Sequence, residues 1–407
     1  MGHALPAHSA RSDQGSLANV LVLGTAEWDA PIATNQHYVA RELARTADVV
    51  FVESLGLRRP TLRRDDVLRM ASRVRRAFAG QPDRVRRARP ERTSVVSPLV
   101  VPLHRAPTRP LNRAILRRAA GEWLRTAAPR VLWTFTPVTY GLEADADVVV
   151  YHCVDLLGTF PGVDAVAVAH GERLLSSRDV VAIATSRAVE EHLRAVGFPR
   201  VVLLPNVADV SMFARASRPA AQRRPAVLFA GNLSVHKLDV TLLEDIATGL
   251  RDRGELLLAG PLGAGGGGFG AQLRRLESLG ARYLGILTPE QLAEVAGACA
   301  VGLIPYAINE YTRGVSPLKC FEYLASGLAV LSARVPAVEE VAQANPHVVI
   351  ADATDLTDAL HRALGPVTDE TIEDRLASAT SHGWHERGRV LRDLLAGELA
   401  SGRCETG

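Results

Sequence analysis

The sequence predicts an α/β protein made of two doubly wound domains that face each other across a cleft, and three observations carry that expectation. Its 407 residues exceed what one ordinary core holds, so two domains of roughly 200 residues each are expected. Short runs of Val, Ile and Leu alternate with helical stretches almost throughout, the pattern of parallel strands buried on both faces. A break rich in Arg, Ala, Ser and Pro at Ala214–Pro225 divides that rhythm, which then restarts.

In the first half, strands are expected at Asn19–Leu23, Val49–Val52, Ser94–Val101, Val131–Thr134, Val148–Tyr151, Val180–Ala184 and Val201–Leu204. Helices are expected over Gln36–Thr46, Leu111–Thr126 and Arg187–Val196. In the second half the strands are Ala226–Phe229, Glu255–Ala259, Arg282–Leu284, Val301–Ile304, Ala329–Ser332 and Val348–Ile350. The helices there are Leu238–Arg251, Pro289–Gly297, Pro317–Ser326 and Ala353–Leu364. Asp369–Leu399 reads as helix interrupted at Ser381-His382-Gly383, able to cross back over the first domain. The expected division is a disordered tail at 1–17, a first Rossmann-like domain at 18–213, a linker at 214–225, a second Rossmann-like domain at 226–380 and a returning helix at 381–407.

A hydrophobic fraction of 47% with 22% charged residues is that of a globular protein, and a net charge of +3 gives no global argument for nucleic acid. The charge is uneven. Arg58–Arg92 holds 13 arginines against four acidic residues, a net of +9 that leaves −6 for the remainder. This stretch, 58–92, is either a solvated insertion or a basic face for an anionic membrane or acceptor. Cys153, Cys299, Cys320 and Cys404 show no C-x-x-C spacing, so neither a zinc site nor a disulfide framework is expected, which fits a reducing compartment. The N-terminus lacks a signal pattern and no apolar run approaches membrane-spanning length. A cytoplasmic location follows as an expectation, with peripheral contact at the inner face of the membrane as its variant.

Of 47 basic side chains only Lys237 and Lys319 are lysines. Each lies in a strand–loop–helix setting, and a compact ammonium on a flexible stem can act as a point charge on phosphate. The pair marks a candidate diphosphate site; two survivors on a solvated surface are the plain alternative. Around Lys319 the chain reads LIPYAINEYTRGVSPLKCFEYLASGLAVL from Leu303 to Leu331. Ser316 is a candidate N-cap and Pro317 an N1 residue, and the amides of Arg313, Gly314, Val315 and Ser316 are expected to be unpaired and open to an anion. Helical geometry puts Lys319, Glu322, Tyr323 and Ser326 on one side, with Leu318, Phe321 and Ala325 turned to the sheet. A plain amphipathic helix with an i,i+3 Lys–Glu pair would read the same way.

This segment resembles the P-x-K-x-x-E-Y-L-A-x-G motif of retaining glycosyltransferases with the GT-B fold, a family that includes bacterial polysaccharide and natural-product transferases. Further similarities follow in order. Thr185-Ser186 closes a strand; Leu204-Pro205-Asn206-Val207-Ala208-Asp209 precedes Phe213; Phe229-Ala230-Gly231-Asn232 leads to Lys237; and Trp384 stands three before Arg387. The resemblance implies a hexosyltransferase-type enzyme that moves a sugar from a nucleotide-diphosphate sugar to an acceptor with retention, using neither cofactor nor metal. It implies a diphosphate held by Lys237, Lys319, Gly231, Asn232 and the helix terminus, and a ribose held by Glu322. Two departures stand out. Gly314 occupies the position, eight before Glu322, where many members carry a glutamate for the donor sugar; Asn309 and Glu310 are close to it. Asn232 stands where an arginine is usual. Both departures favour the alternative of a catalytically silent nucleotide-sugar-binding subunit; an epimerase of similar architecture is the second alternative.

The first domain should carry the acceptor. Gly24–Asn35 joins the first strand to the first helix, where doubly wound sheets bind ligands. Trp28 or His37 can line an acceptor pocket there, or serve packing. His152 and Asp155 follow a buried strand and can face the reacting sugar, with a core imidazole and a helix cap as their respective alternatives. Asp145-Ala146-Asp147 has D-x-D spacing but precedes a strand and reads as a charged turn, and Gly263–Gly270 lacks the Lys-Ser/Thr of a P-loop.

Overall fold

The computed structural model describes residues 18–30, 33–55, 87–101, 107–127, 129–160, 162–251, 253–263, 268–351 and 355–405. The expected tail at 1–17, most of the basic stretch 58–92 and the middle of Gly263–Gly270 lie outside those residues.

Seven parallel strands form the first sheet: β1 (Asn19–Leu23), β2 (Asp48–Val52), β3 (Thr93–Val96), β4 (Arg130–Thr134), β5 (Val148–Cys153), β6 (Val181–Ala184) and β7 (Arg200–Leu203). Their order is β3-β2-β1-β4-β5-β6-β7. Side chains alternate across it. Val20 and Val22 of β1 enter the core under α1 (Asn35–Leu43), whereas Leu21 and Leu23 enter the core under α2 (Arg109–Ala119). The expected strand Ser94–Val101 stops at Val96, because Ser97-Pro98 follows and proline cannot donate to the ladder. The expected helix Leu111–Thr126 breaks at Ala120-Gly121 into α2 and α3 (Gly121–Arg125). Helices α4 (Ala165–Ser176) and α5 (Arg187–Val196) complete the covering layers. The first of these is capped by the Asp164 carboxylate, which accepts from the Ala167 N–H at 3.3 Å.

The second sheet holds β8 (Ala226–Ala230), β9 (Glu255–Ala259), β10 (Arg282–Tyr283), β11 (Val301–Ile304), β12 (Ala329–Ser332) and β13 (Val348–Ile350), in the order β10-β9-β8-β11-β12-β13. All its pairs are parallel too, and one continuous core underlies it. Chain order reverses beside β1 in one sheet and beside β8 in the other, so each sheet has a switch point where its C-terminal edge opens a crevice.

The chain passes from one core to the other between Val207 and Ala208. Val210–Ala216 is helix α6, and Phe213 belongs to the second core rather than to the first domain where the 18–213 boundary puts it. That helix packs on α9 (Pro289–Gly297) and α11 (Lys319–Ala325). The return crossing lies alongside: the Ala208 N–H donates to the His382 carbonyl at 3.0 Å. Trp384 then opens the last helix, α15 (Trp384–Glu405), which packs against α1, with Trp384 stacked on Tyr38 at 4.8 Å and Leu391 and Leu395 in the first core. Among the described residues no helix is long and apolar enough to cross a membrane.

Candidate active site

The two switch points face one another and enclose a cavity of about 420 Å³. One wall comes from the β1–α1 loop and the end of β5 in the first domain. The other comes from the ends of β8, β9 and β11 and from the approach to α11 in the second. Gly231 and Gly260 line the floor, where any side chain at 260 would collide with the Gly231 carbonyl, so the backbones of two strand ends meet directly beneath the cavity.

Lys237 and Lys319 both line this cavity. Lys237 is carried by the loop after β8. That loop is zipped to the loop after β11: the Ala307 N–H donates to the Lys237 carbonyl at 3.0 Å, and the Asn309 amide donates to the His236 carbonyl at 2.8 Å. The Lys237 ammonium lies 4.4 Å from the centre of the Tyr306 ring. Lys319 opens α11, and its ammonium donates to the Glu322 carboxylate at 2.6 Å. Glu322 lines the cavity with it.

The rest of α11 departs from the two-sided expectation. Tyr323 turns away from the cavity into the core. Its hydroxyl accepts the Ala230 N–H at 3.0 Å, and its ring takes the space above Gly302, where any side chain would overlap it. Ser326 is buried and donates to the Glu322 carbonyl at 2.9 Å, whereas Leu318 lines the cavity rather than facing the sheet. The helix is enclosed by β11, β12, α6 and α14 (Asp369–Ala379), so no amphipathic division applies to it.

The amides at 313–315 are engaged, against expectation. Residues Glu310–Arg313 form a short helix, α10, and the N–H groups of Arg313, Gly314 and Val315 donate to the carbonyls of Asn309, Tyr311 and Thr312. Ser316 does not cap α11, whose capping position is Leu318. Instead its hydroxyl accepts the Asn206 N–H at 3.2 Å and its carbonyl accepts the Asn206 amide at 2.7 Å. Asn35 in turn donates to Asn206 at 2.5 Å, and the Ser186 hydroxyl donates to the Gly314 carbonyl at 2.8 Å. The 314–316 loop is thus clamped to the first domain. Val315, Ser316, Gly231 and Asn232 line the cavity; Asn309, Glu310, Arg313 and Gly314 do not. The Asn309 side chain caps α10, accepting from the Thr312 N–H at 3.0 Å, and Glu310 and Arg313 are exposed.

In the first domain, Trp28 and His37 serve packing. Trp28 is buried edge-on to Phe51, and His37 accepts the Thr34 N–H while its other nitrogen donates to the Glu27 carbonyl, both at 3.0 Å. Burial lowers the His37 pKa, so it is neutral. Thr25, Asn35, Gln36 and Tyr38 of the same segment line the cavity instead. His152 lies behind the wall, stacked at 4.9 Å on Phe135, which does line it; burial pushes this imidazole down to about 3. Parity explains its place, since His152 shares the core-facing side of β5 with Val148 and Val150. Asp155, past the strand end, reaches the cavity, where burial raises its carboxyl to about 6 against the opposing pull of Lys237. Asp145 pairs with Arg117, and Asp147 accepts the Arg130 N–H at 2.7 Å, which accounts for the D-x-D as a charged turn. Among the described residues no cluster of three or more His, Cys, Asp or Glu side chains could hold a metal ion.

Residues 224–365 match the model of the family described as glycosyl transferases group 1. The structure superposes on sucrose-phosphate synthase from Thermosynechococcus elongatus with a TM-score of 0.63 at 18% identity, covering 93% of this chain and 100% of that one. It superposes on Anabaena HepE in complex with UDP with a TM-score of 0.61 at 13% identity, covering 93% and 100%. The chain has the GT-B fold, and its residues 224–365 are similar to group 1 glycosyl transferases. A putative teichuronic acid biosynthesis glycosyltransferase of Bacillus subtilis is 28% identical over 154 residues, which are 37% of this chain and 38% of the relative's length. The matched residues 224–365 contribute both lysines and Glu322 to the GT-B cleft.

Proposed function

We propose that this protein is a glycosyltransferase that moves a sugar from a nucleoside-diphosphate sugar to an acceptor, with retention of configuration and without a metal ion. One observation carries the proposal: Lys237 from the loop after β8 and the Lys319–Glu322 pair of α11 meet at a single cavity between facing switch points. The transfer barrier lies in the charge that builds on the leaving diphosphate, and two ammonium groups in an enclosed cleft oppose it without reorganising. Arrival of the diphosphate would draw Lys319 away from Glu322, freeing that carboxylate for ribose hydroxyls. Ile286, Leu287 and Pro289 offer an apolar wall to the base. The UDP complex of a structural neighbour favours uridine as the nucleoside. The acceptor enters from the first-domain side, and the charge of 58–92 favours an anionic or lipid-linked one at the inner membrane face, reached without a membrane span.

The test is transfer or donor hydrolysis with a panel of nucleoside-diphosphate sugars. Lys319→Ala should lower the rate roughly 10²–10³-fold, the usual loss for one charge-stabilising donor. EDTA should leave the wild-type rate unchanged, and the product anomer should match the donor's. A Lys319→Ala protein as fast as wild type would sink the proposal. Donor that binds without transfer to any acceptor would favour a silent binding subunit.

A further inference from the structure

Among the described residues two carboxylates line the cavity, Glu322 and Asp155. Glu322 is engaged by Lys319 at 2.6 Å. Asp155 stands on the opposite wall, facing Lys237, and among the described residues no hydrogen bond reaches its carboxylate. A half-buried carboxylate with no hydrogen-bond donor beside apolar neighbours is retained where something polar arrives to meet it. Val154, Leu157 and Phe135 beside it are apolar, and among the described residues it is the one carboxylate on the first-domain wall.

The second domain has no carboxylate at position 314, eight before Glu322. Gly314 has φ −84° and ψ −12°, a conformation open to any residue, so the backbone does not require glycine. Space is the tighter constraint: a Cβ at 314 would lie 2.9 and 3.0 Å from two carbons of the Leu156 side chain, which would have to shift. The Ser186 hydroxyl holds the Gly314 carbonyl at 2.8 Å and keeps the loop in that place. Leu156 is the residue after Asp155. The same short segment that crowds position 314 therefore carries a carboxylate into the cleft.

On the glycosyl-transfer reading above, we infer that Asp155 of the first domain grips hydroxyl groups of the transferred sugar on the far side of Lys237 from the nucleoside. A carboxylate there accepts two neighbouring hydroxyls and repels an acidic sugar, so the donor class is a neutral hexose rather than a uronate.

The experiment is calorimetric titration of the full chain with whichever of UDP, GDP, dTDP and ADP binds, and with the glucose and glucuronate esters of that nucleotide. Wild type should bind the glucose ester more tightly than the bare diphosphate and discriminate against the glucuronate. Asp155→Asn should keep its nucleoside-diphosphate affinity within about threefold while the gain from glucose falls about tenfold, the size of a lost charged hydrogen bond. Discrimination against glucuronate should shrink in parallel. In the Asp155→Asn background, Leu156→Ala with Gly314→Glu opens the crowded position to a carboxylate and should recover part of the glucose gain. An unchanged glucose gain in Asp155→Asn, with normal nucleotide binding, overturns this inference alone. Equal weakening of diphosphate and ester overturns it too, because Asp155 would then serve the nucleotide or the fold. A wild type that binds none of the four diphosphates removes the glycosyl-transfer reading and this inference with it.

Discussion

Replacing Tyr323 by phenylalanine removes one oxygen and leaves the ring that fills the space above Gly302. That oxygen accepts the Ala230 N–H at 3.0 Å, and Ala230 is the last residue of β8, directly before the Gly231 turn that lines the cavity. Both residues are fully buried, so no water replaces the lost acceptor. An orphaned buried N–H costs about 1–3 kcal/mol, and roughly 2 kcal/mol is the working figure. For a domain of this size each kcal/mol lowers the melting temperature by about 2–4 °C, so the second domain should melt roughly 4–8 °C lower in Tyr323→Phe. Calorimetry resolves such a shift when the domains unfold separately, and circular dichroism follows it otherwise. Nucleotide affinity should fall as well, because the loop that carries Lys237 starts from the loosened strand end. A melting temperature within about 1 °C of wild type would refute the reasoning, by showing that the bond contributes nothing net.

Two further outcomes concern the first domain. Glu42 is 2% exposed and paired with Arg392 at 2.9 Å and Arg45 at 3.0 Å, so Glu42→Ala strands Arg392 between α1 and α15. It should lose about 1–3 kcal/mol in thermal melts and make α15 more susceptible to protease, and an unchanged digest would argue against that docking role. Asp155 gives a pH signature whose sign follows from its raised pKa. Folded protein holds this proton up to about pH 6 and unfolded chain only to about 3.8, so stability falls as pH rises between those values. Asp155→Asn should therefore exceed wild type by up to about 3 kcal/mol near pH 7 and match it below pH 4. His152 titrates with the opposite sign but is common to both proteins, so the difference isolates Asp155; a flat difference across that range would refute it.

What could be read beforehand follows from how local each determinant is. Parallel strands buried on both faces are continuous Val/Ile/Leu runs, so β1, β9 and β13 stand at the residues read from the sequence. Helix α4 was missed because Ala165-Val166-Ala167-Val168 alternates like a strand, and only the Asp164 cap and its packing decide otherwise. Lys237, Lys319 and Glu322 were legible because each belongs to a short local pattern. The clamp was not, since Asn35–Asn206, Asn206–Ser316 and Ser186–Gly314 join residues 171, 110 and 128 apart. The amides at 313–315 were misread because the four-residue helix α10 that consumes them is too short for any periodicity. Tyr323 was misread because a wheel gives half the helix to water, whereas here Lys319 and Glu322 meet the cavity and Tyr323 is buried.

The scarcity of lysine now has a physical account in the cleft. A guanidinium at 319 could engage Glu322 through a two-pronged fork, a geometry that holds the partner in place. An ammonium engages the same carboxylate at a single point, 2.6 Å away, on a stem that can swing. At 237 the ammonium lies over a ring, and among the described residues no carboxylate is ion-paired to it, so a diphosphate displaces no bound partner there. In both positions the lysine is held loosely by what surrounds it and is most strongly satisfied by an anion that comes from outside. Several arginines instead have a partner built into the fold: Arg392 on Glu42, Arg200 on Glu398, Arg117 on Asp145. On the proposed function, these arginines hold the structure while the two lysines among 47 basic residues, both in one cavity, are the charges left for a ligand.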